Sequence, residues 1–146
     1  MKTANYIDDG YTRKAYLKPE PGIHEGMLFE YRPMLPEPAE DLEIASTKVQ
    51  GAQFIRMMAV ALSKQLVSWS ETDSKTGLVR PIEIESLVRI PRELLSLMRQ
   101  VVQGRWAGDP VPDATTSENS EYYNALLAHS LGKNPGQEQL ESDRKN

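Results

Sequence analysis

Two early stretches of the chain, YTRKAYL (11–17) and MLFEYRPM (27–34), carry the aromatic and β-branched residues common in strands. In the second, Met27, Phe29 and Tyr31 fall on one side and Leu28, Glu30 and Arg32 on the other, the period-two pattern of strands. KPEPGIHEG between them carries Pro19, Pro21, Gly22 and Gly26 and suits a long hairpin loop. Pro33 stops the second strand, and Pro36 opens a helix in its first turn. Glu37, Glu40, Asp41 and Glu43 follow, carboxylates that favour a helix N-terminus, so a short helix is predicted over 36–46.

From Lys48 to Trp69 the period changes to that of a helix. Ala52, Ile55, Met58, Ala59, Leu62, Leu66 and Trp69 recur at 3.6-residue spacing, and Phe54, Met57 and Ala61 widen the stripe. One long buried helix is predicted there, with Trp69 closing it inside the core. SETDSKTGLVRPI (70–82) is a polar connector with turn chemistry at Asp73, Ser74 and Gly77. A short helix follows from Glu83 to Arg89, with Ile84, Leu87 and Val88 facing inward. Pro91 then opens a further helix carrying Leu94, Leu95, Leu97, Met98, Val101 and Val102, and Gly104 ends it.

Beyond Gly104 the apolar pattern fades into GDPVPDATTSENSE, a stretch with little to offset the entropy of ordering. A boundary near residue 108 is therefore expected, with a hairpin-plus-helical domain over 1–108 and an acidic, largely flexible tail over 109–146. EYYNALLAHSL (121–131) interrupts that tail. Tyr123, Leu126, Leu127 and Leu131 sit at helical spacing there, as a short amphipathic helix. So short a helix is marginal alone. Either it folds back to bury leftover apolar surface, or it orders on a partner with these side chains as anchors. Trp106, at the domain edge, either covers the helix end or anchors a partner.

These elements define an α+β chain: an N-terminal β-hairpin, a bundle of three to four helices and a flexible C-terminal tail. The 146 residues allow one core, a lean one at 39% hydrophobic content with two Phe. The net charge of −4 comes without a basic stripe, so no nucleic-acid partner is expected. The absence of Cys excludes disulfides and thiolate zinc sites and fits a reducing cytoplasm. The first residues lack the apolar segment of a signal peptide, and the longest apolar stretch, Phe54 to Leu62, is too short to span a membrane.

Candidate chemistry is sparse. His24 and His129 stand in a predicted loop and the predicted tail, without a second His at metal-binding spacing. The carboxylate pairs Asp8–Asp9, Glu40–Asp41 and Glu83–Glu85 fall on predicted surface, where they solvate a face. Acid–base work needs a carboxylate buried enough to raise its pKa. Neither catalytic residues nor a cofactor nor a metal is expected. The six Met either fill the core or supply an adaptable binding surface, and core filling is the simpler reading.

The segment LVSWSETDSKTGLVRPIEIESLVRIPRELLSLMRQVVQG, Leu66 to Gly104, resembles the tail assembly chaperones of long-tailed bacteriophages and prophages. The resemblance rests on Trp69, Asp73, Gly77, Pro81, Glu85, Leu87, Pro91, Leu94, Leu95 and Gly104. FEYRPMLP (29–36) is similar to the strand-to-helix transition of such proteins. Ile90-Pro91 departs from the Leu-Pro more usual there. The resemblance implies a non-enzymatic protein that binds tape-measure and tail-tube proteins during virion assembly in the host cytoplasm, with homo-oligomers among the possible states. The alternative is a tail-completion or connector subunit retained in the particle.

Overall fold

A computed structural model describes residues 6–112 and 117–130. Strands β1 (Arg13–Leu17) and β2 (Met27–Tyr31) form the expected antiparallel hairpin, with Ala15 opposite Phe29 and Leu17 opposite Met27. β2 ends at Tyr31, earlier than the sequence pattern predicts. A bulge at Glu30/Tyr31 turns the chain, and the Met34 N–H leaves the sheet to donate to the Val102 carbonyl (3.0 Å). Helix α1 (Pro36–Ser46) begins at the proline that predicts it.

The long helix over 48–69 is corrected. Helix α2 (Ala52–Gln65) stops at Gln65, and Leu66–Trp69 continues as β3, which pairs with β2 and places Trp69 opposite Phe29. The domain is thus built on a three-stranded sheet, β1-β2-β3, and not on a hairpin alone. Helical spacing misleads here because Leu62, Leu66 and Trp69 satisfy a helical stripe, while Leu66 and Trp69 also serve a strand that turns both inward. Without β3, the β2 backbone would present an open edge, and two strands rarely hold together without support.

Helices α3 (Ile84–Leu87) and α4 (Arg92–Val102) follow where expected, and Gly104 succeeds α4 with φ of +81°. Helix α5 (Ser117–Ser130) is longer than the sequence island predicts. Instead of extending from the domain it lies against β2 and β3. Two hydrogen bonds of Asp109 cross the expected boundary near 108. The Asp109 N–H donates to the Tyr16 carbonyl (2.8 Å), and Asp109 Oδ2 accepts from Lys18 N–H (2.9 Å). Gly108 permits this contact: its φ is +91°, and a Cβ there would lie 3.0 Å from the Tyr16 carbonyl oxygen.

Strand pairing sorts side chains onto two faces. Ala15, Leu17, Met27, Phe29, Tyr31 and Trp69 join Met58, Leu62, Leu87, Leu95, Met98 and Val101 in the main core, which α2, α3 and α4 cover. Met27, Met58 and Met98 are fully buried, so these methionines fill core space. Tyr16, Leu28 and Ser68 share the opposite face, under α5. Leu28 is fully buried, yet it lies outside the main core cluster.

Helix α1 buries no side chain. It is held by polar contacts: Gln103 Nε2–H donates to the Ala39 carbonyl (3.2 Å), and Glu43 lies within ion-pair range of Arg105 (3.3 Å) and Arg99 (3.8 Å). Buried Glu43 Oε2 and Arg99 Nη1 stand at ion-pair distance without hydrogen-bond geometry. The Arg92 and Arg99 guanidinium carbons lie 5.4 and 5.6 Å from the centre of the Phe54 ring.

Candidate functional site

Two β-turn regions and α5 enclose an open cleft of about 670 Å³ at one end of the sheet. Gly26, Ser70, Glu71 and Val79 form one wall, and Glu121 and Tyr122 of α5 form the other. The Ser70–Val79 wall folds as it does for local reasons. Asp73 Oδ1 accepts from the Lys75 and Thr76 N–H groups (2.8 and 3.0 Å), closing an Asx-type turn, and Thr72 bridges Val79 across it. Trp69 Nε1–H donates to the Arg80 carbonyl (2.7 Å), which fixes the returning arm to the core. The Ser70 hydroxyl accepts from Leu28 N–H (2.9 Å) while Ser70 N–H donates to the Leu28 carbonyl (2.9 Å), extending the β2–β3 ladder by one position.

Above this ladder α5 presents Tyr122, Ala125, Leu126 and His129, a stripe at i, i+3, i+4 and i+7. Leu126 is 4% exposed. The Tyr122 ring meets Tyr16 edge-on at 5.6 Å between centroids. Both tyrosine hydroxyls converge on Gly26, where an added Cβ would stand 2.6 Å from each of them. That close approach explains a glycine at a position with ordinary backbone angles.

The sequence-derived partner residues are distributed unevenly. Leu126 is buried against the chain's own sheet, as the fold-back alternative for this helix expects. The Tyr123 hydroxyl donates to the Pro112 carbonyl (2.9 Å), tying α5 to its connecting segment. Leu127 faces outward at 59% exposure. Leu131 lies outside the described residues. Trp106 is half-buried against the margin of the main core. The greasier stripe 123–126–127 predicted from sequence is therefore rotated by about one residue, because the groove is shaped by Tyr16 and Gly26, which receive Tyr122.

Glu71 is the residue that sequence reasoning missed. Burial pushes its carboxyl above the usual glutamate range, opposed by the charges of Arg80 and His24 and assisted by that of Glu25. Nothing in SETDSKTG marks it, since its surroundings come from α5 and the 20–26 turn. A carboxylate so placed is of the kind that acid–base chemistry uses. Its neighbours are committed elsewhere: Ser70 Oγ accepts from backbone, and His24 Nδ1 lies 2.8 Å from the Glu25 carbonyl oxygen. His129, on the same α5 stripe, has its pKa lowered by burial, and its Nδ1 has no hydrogen-bond partner. The pairs Glu40–Asp41 and Glu83–Glu85 are exposed. Among the described residues no group of three or more metal-binding side chains is placed to hold an ion, and no helix is long and apolar enough to cross a membrane.

Compared with protein-family models, curated proteins and solved structures, the chain matches none.

Proposed function

We propose that this chain is a non-enzymatic protein-binding factor, and specifically an assembly chaperone of the long-tailed phage type that holds tape-measure and tail-tube proteins in the host cytoplasm. The observation that carries this reading is how the resemblance segment is used in the fold. Trp69 sits in the core with its indole N–H on Arg80, Asp73 and Gly77 make the turn, Pro81 follows Arg80, and Pro91 and Gly104 bracket α4. The spacing that carries the resemblance is thus the spacing of one coherent structural unit.

Surface chemistry adds support. Leu35 just before α1, Ile44 on α1 and Leu127 on α5 are exposed, so both peripheral helices carry an apolar side chain outward. A tape-measure protein exposes long apolar helical stripes until the tube covers them, and such surfaces aggregate unless shielded.

Co-expression with the tape-measure protein of the same genome tests the proposal. A several-fold rise in soluble client, with this chain absent from purified particles by mass spectrometry, is the expected result. Unchanged client solubility overturns it, and recovery of the chain in particles favours the tail-completion or connector reading. A small enzyme is a second reading, favoured by Glu71 in its cleft. Under the chaperone reading Glu71→Gln still solubilises the client.

A further inference from the structure

We propose that the sheet face beneath α5 is a docking groove for a helix of the client, and that α5 is a displaceable stand-in for that helix. This rests on the protein-binding reading above and names the surface that would perform it.

Four observations converge on it. First, the main core does not depend on α5: Leu28 and Leu126 are buried outside it, and α5 adds Ala125 and Ala128 to its margin. Second, α5 meets the sheet along one face, Tyr122, Ala125, Leu126 and His129. Among its described side chains Leu126 alone is fully enclosed, with Tyr122 packed edge-on and Tyr123 bonded to the connecting segment. Third, the groove has a defined shape. Gly26 leaves room for an aromatic hydroxyl, Leu28 lies one step along, and the cleft remains open beside the helix. Fourth, what now occupies the groove specifies its ligand: a helix with an aromatic residue, then a small residue and a leucine three and four positions later.

A tethered helix competes with any incoming one at an effective concentration on the order of millimolar. The apparent affinity for an external helix is therefore reduced by the fraction of time the groove stands vacant. Weakening α5 in the chain should strengthen binding of the same helix supplied from outside.

The probe is a fluorescently labelled peptide of residues 117–130, titrated into the full chain and into its Tyr122→Ala/Leu126→Ala variant. Binding at least tenfold tighter to the variant is expected, and a peptide carrying the same two substitutions should bind neither. Leu126→Ala alone gives the same reading with a smaller shift should the double variant fail to fold. Equal affinity for both chains overturns the proposal, as does absence of binding to a folded variant. A dimer by light scattering that the variant loses also overturns it, because the groove would then serve a second copy of this chain. Client rescue without peptide exchange removes the stand-in and leaves the chaperone reading; peptide exchange without client rescue does the reverse.

Discussion

Tyr122 of α5 and Tyr16 of β1 pack edge-to-face at 5.6 Å, with both hydroxyls over the bare backbone of Gly26. This contact joins the C-terminal helix to the sheet at a point where an added methyl requires the tyrosine hydroxyls to move. It makes Gly26 a handle on α5 that leaves the main core untouched.

Gly26→Ala should therefore loosen α5 selectively. An added methyl at 2.6 Å from two hydroxyl oxygens forces one or both rings to move, at about 1–3 kcal/mol for overpacking. Hydrogen exchange should accelerate across 117–130 while α4 stays protected. Adding Tyr122→Phe, which removes one of the two oxygens, should restore part of the loss.

Leu126 and Leu127 are neighbours with opposite fates. Leu126→Ala should destabilise by about 2 kcal/mol, the low end for a buried leucine, because the loss cannot exceed what docking of α5 contributes. Leu127→Ala should stay within about 0.5 kcal/mol, as exposed positions do. Denaturant melts of the two variants distinguish this face assignment from the rotated one that the sequence predicts.

Two titrating groups pull the α5 region in opposite directions with pH. His129 is held below its ordinary value of 6.5, so the undocked helix takes up a proton first; docking is unaffected above 6.5 and weakens as pH falls below it. Glu71 is held above 4.5, so its penalty is present at neutral pH and is relieved as pH falls through the raised value. Glu71→Gln should raise the melting temperature at pH 7 and leave little change near pH 4. His129→Gln should flatten the decline just below 6.5. Thermal melts across pH 4–8 check both signs.

Trp69→Phe removes the N–H that donates to the Arg80 carbonyl (2.7 Å) and leaves space in the core. A loss of about 1–3 kcal/mol is expected from the hydrogen bond. Exchange should rise in the 72–79 turn before the sheet itself opens.

Much of the scaffold was legible because punctuation and period agreed. Pro36 begins α1, Pro91 precedes α4, and Gly104 follows it, each for a local steric reason that needs no tertiary contact. β3 was hidden because Leu66 and Trp69, three residues apart, fit a helical stripe and not the alternation of a regular strand; the register shift opposite Glu30/Tyr31 lets both face the core. The docked face of α5 was hidden for a related reason. Composition favoured the stripe with more apolar side chains, whereas the groove selects Tyr122 through Gly26, nearly a hundred residues away in sequence. Glu71 was invisible because its burial is made by segments distant from it.

Hydrogen exchange of the full chain, with and without a bound tape-measure fragment, tests client binding through the sheet face most directly. The client should speed exchange across 117–130 while slowing it in β2 and β3. If the client binds and α5 stays as protected as before, the groove beneath α5 is not where it binds; if no fragment of the tape-measure protein binds at all, the chaperone reading itself is contradicted.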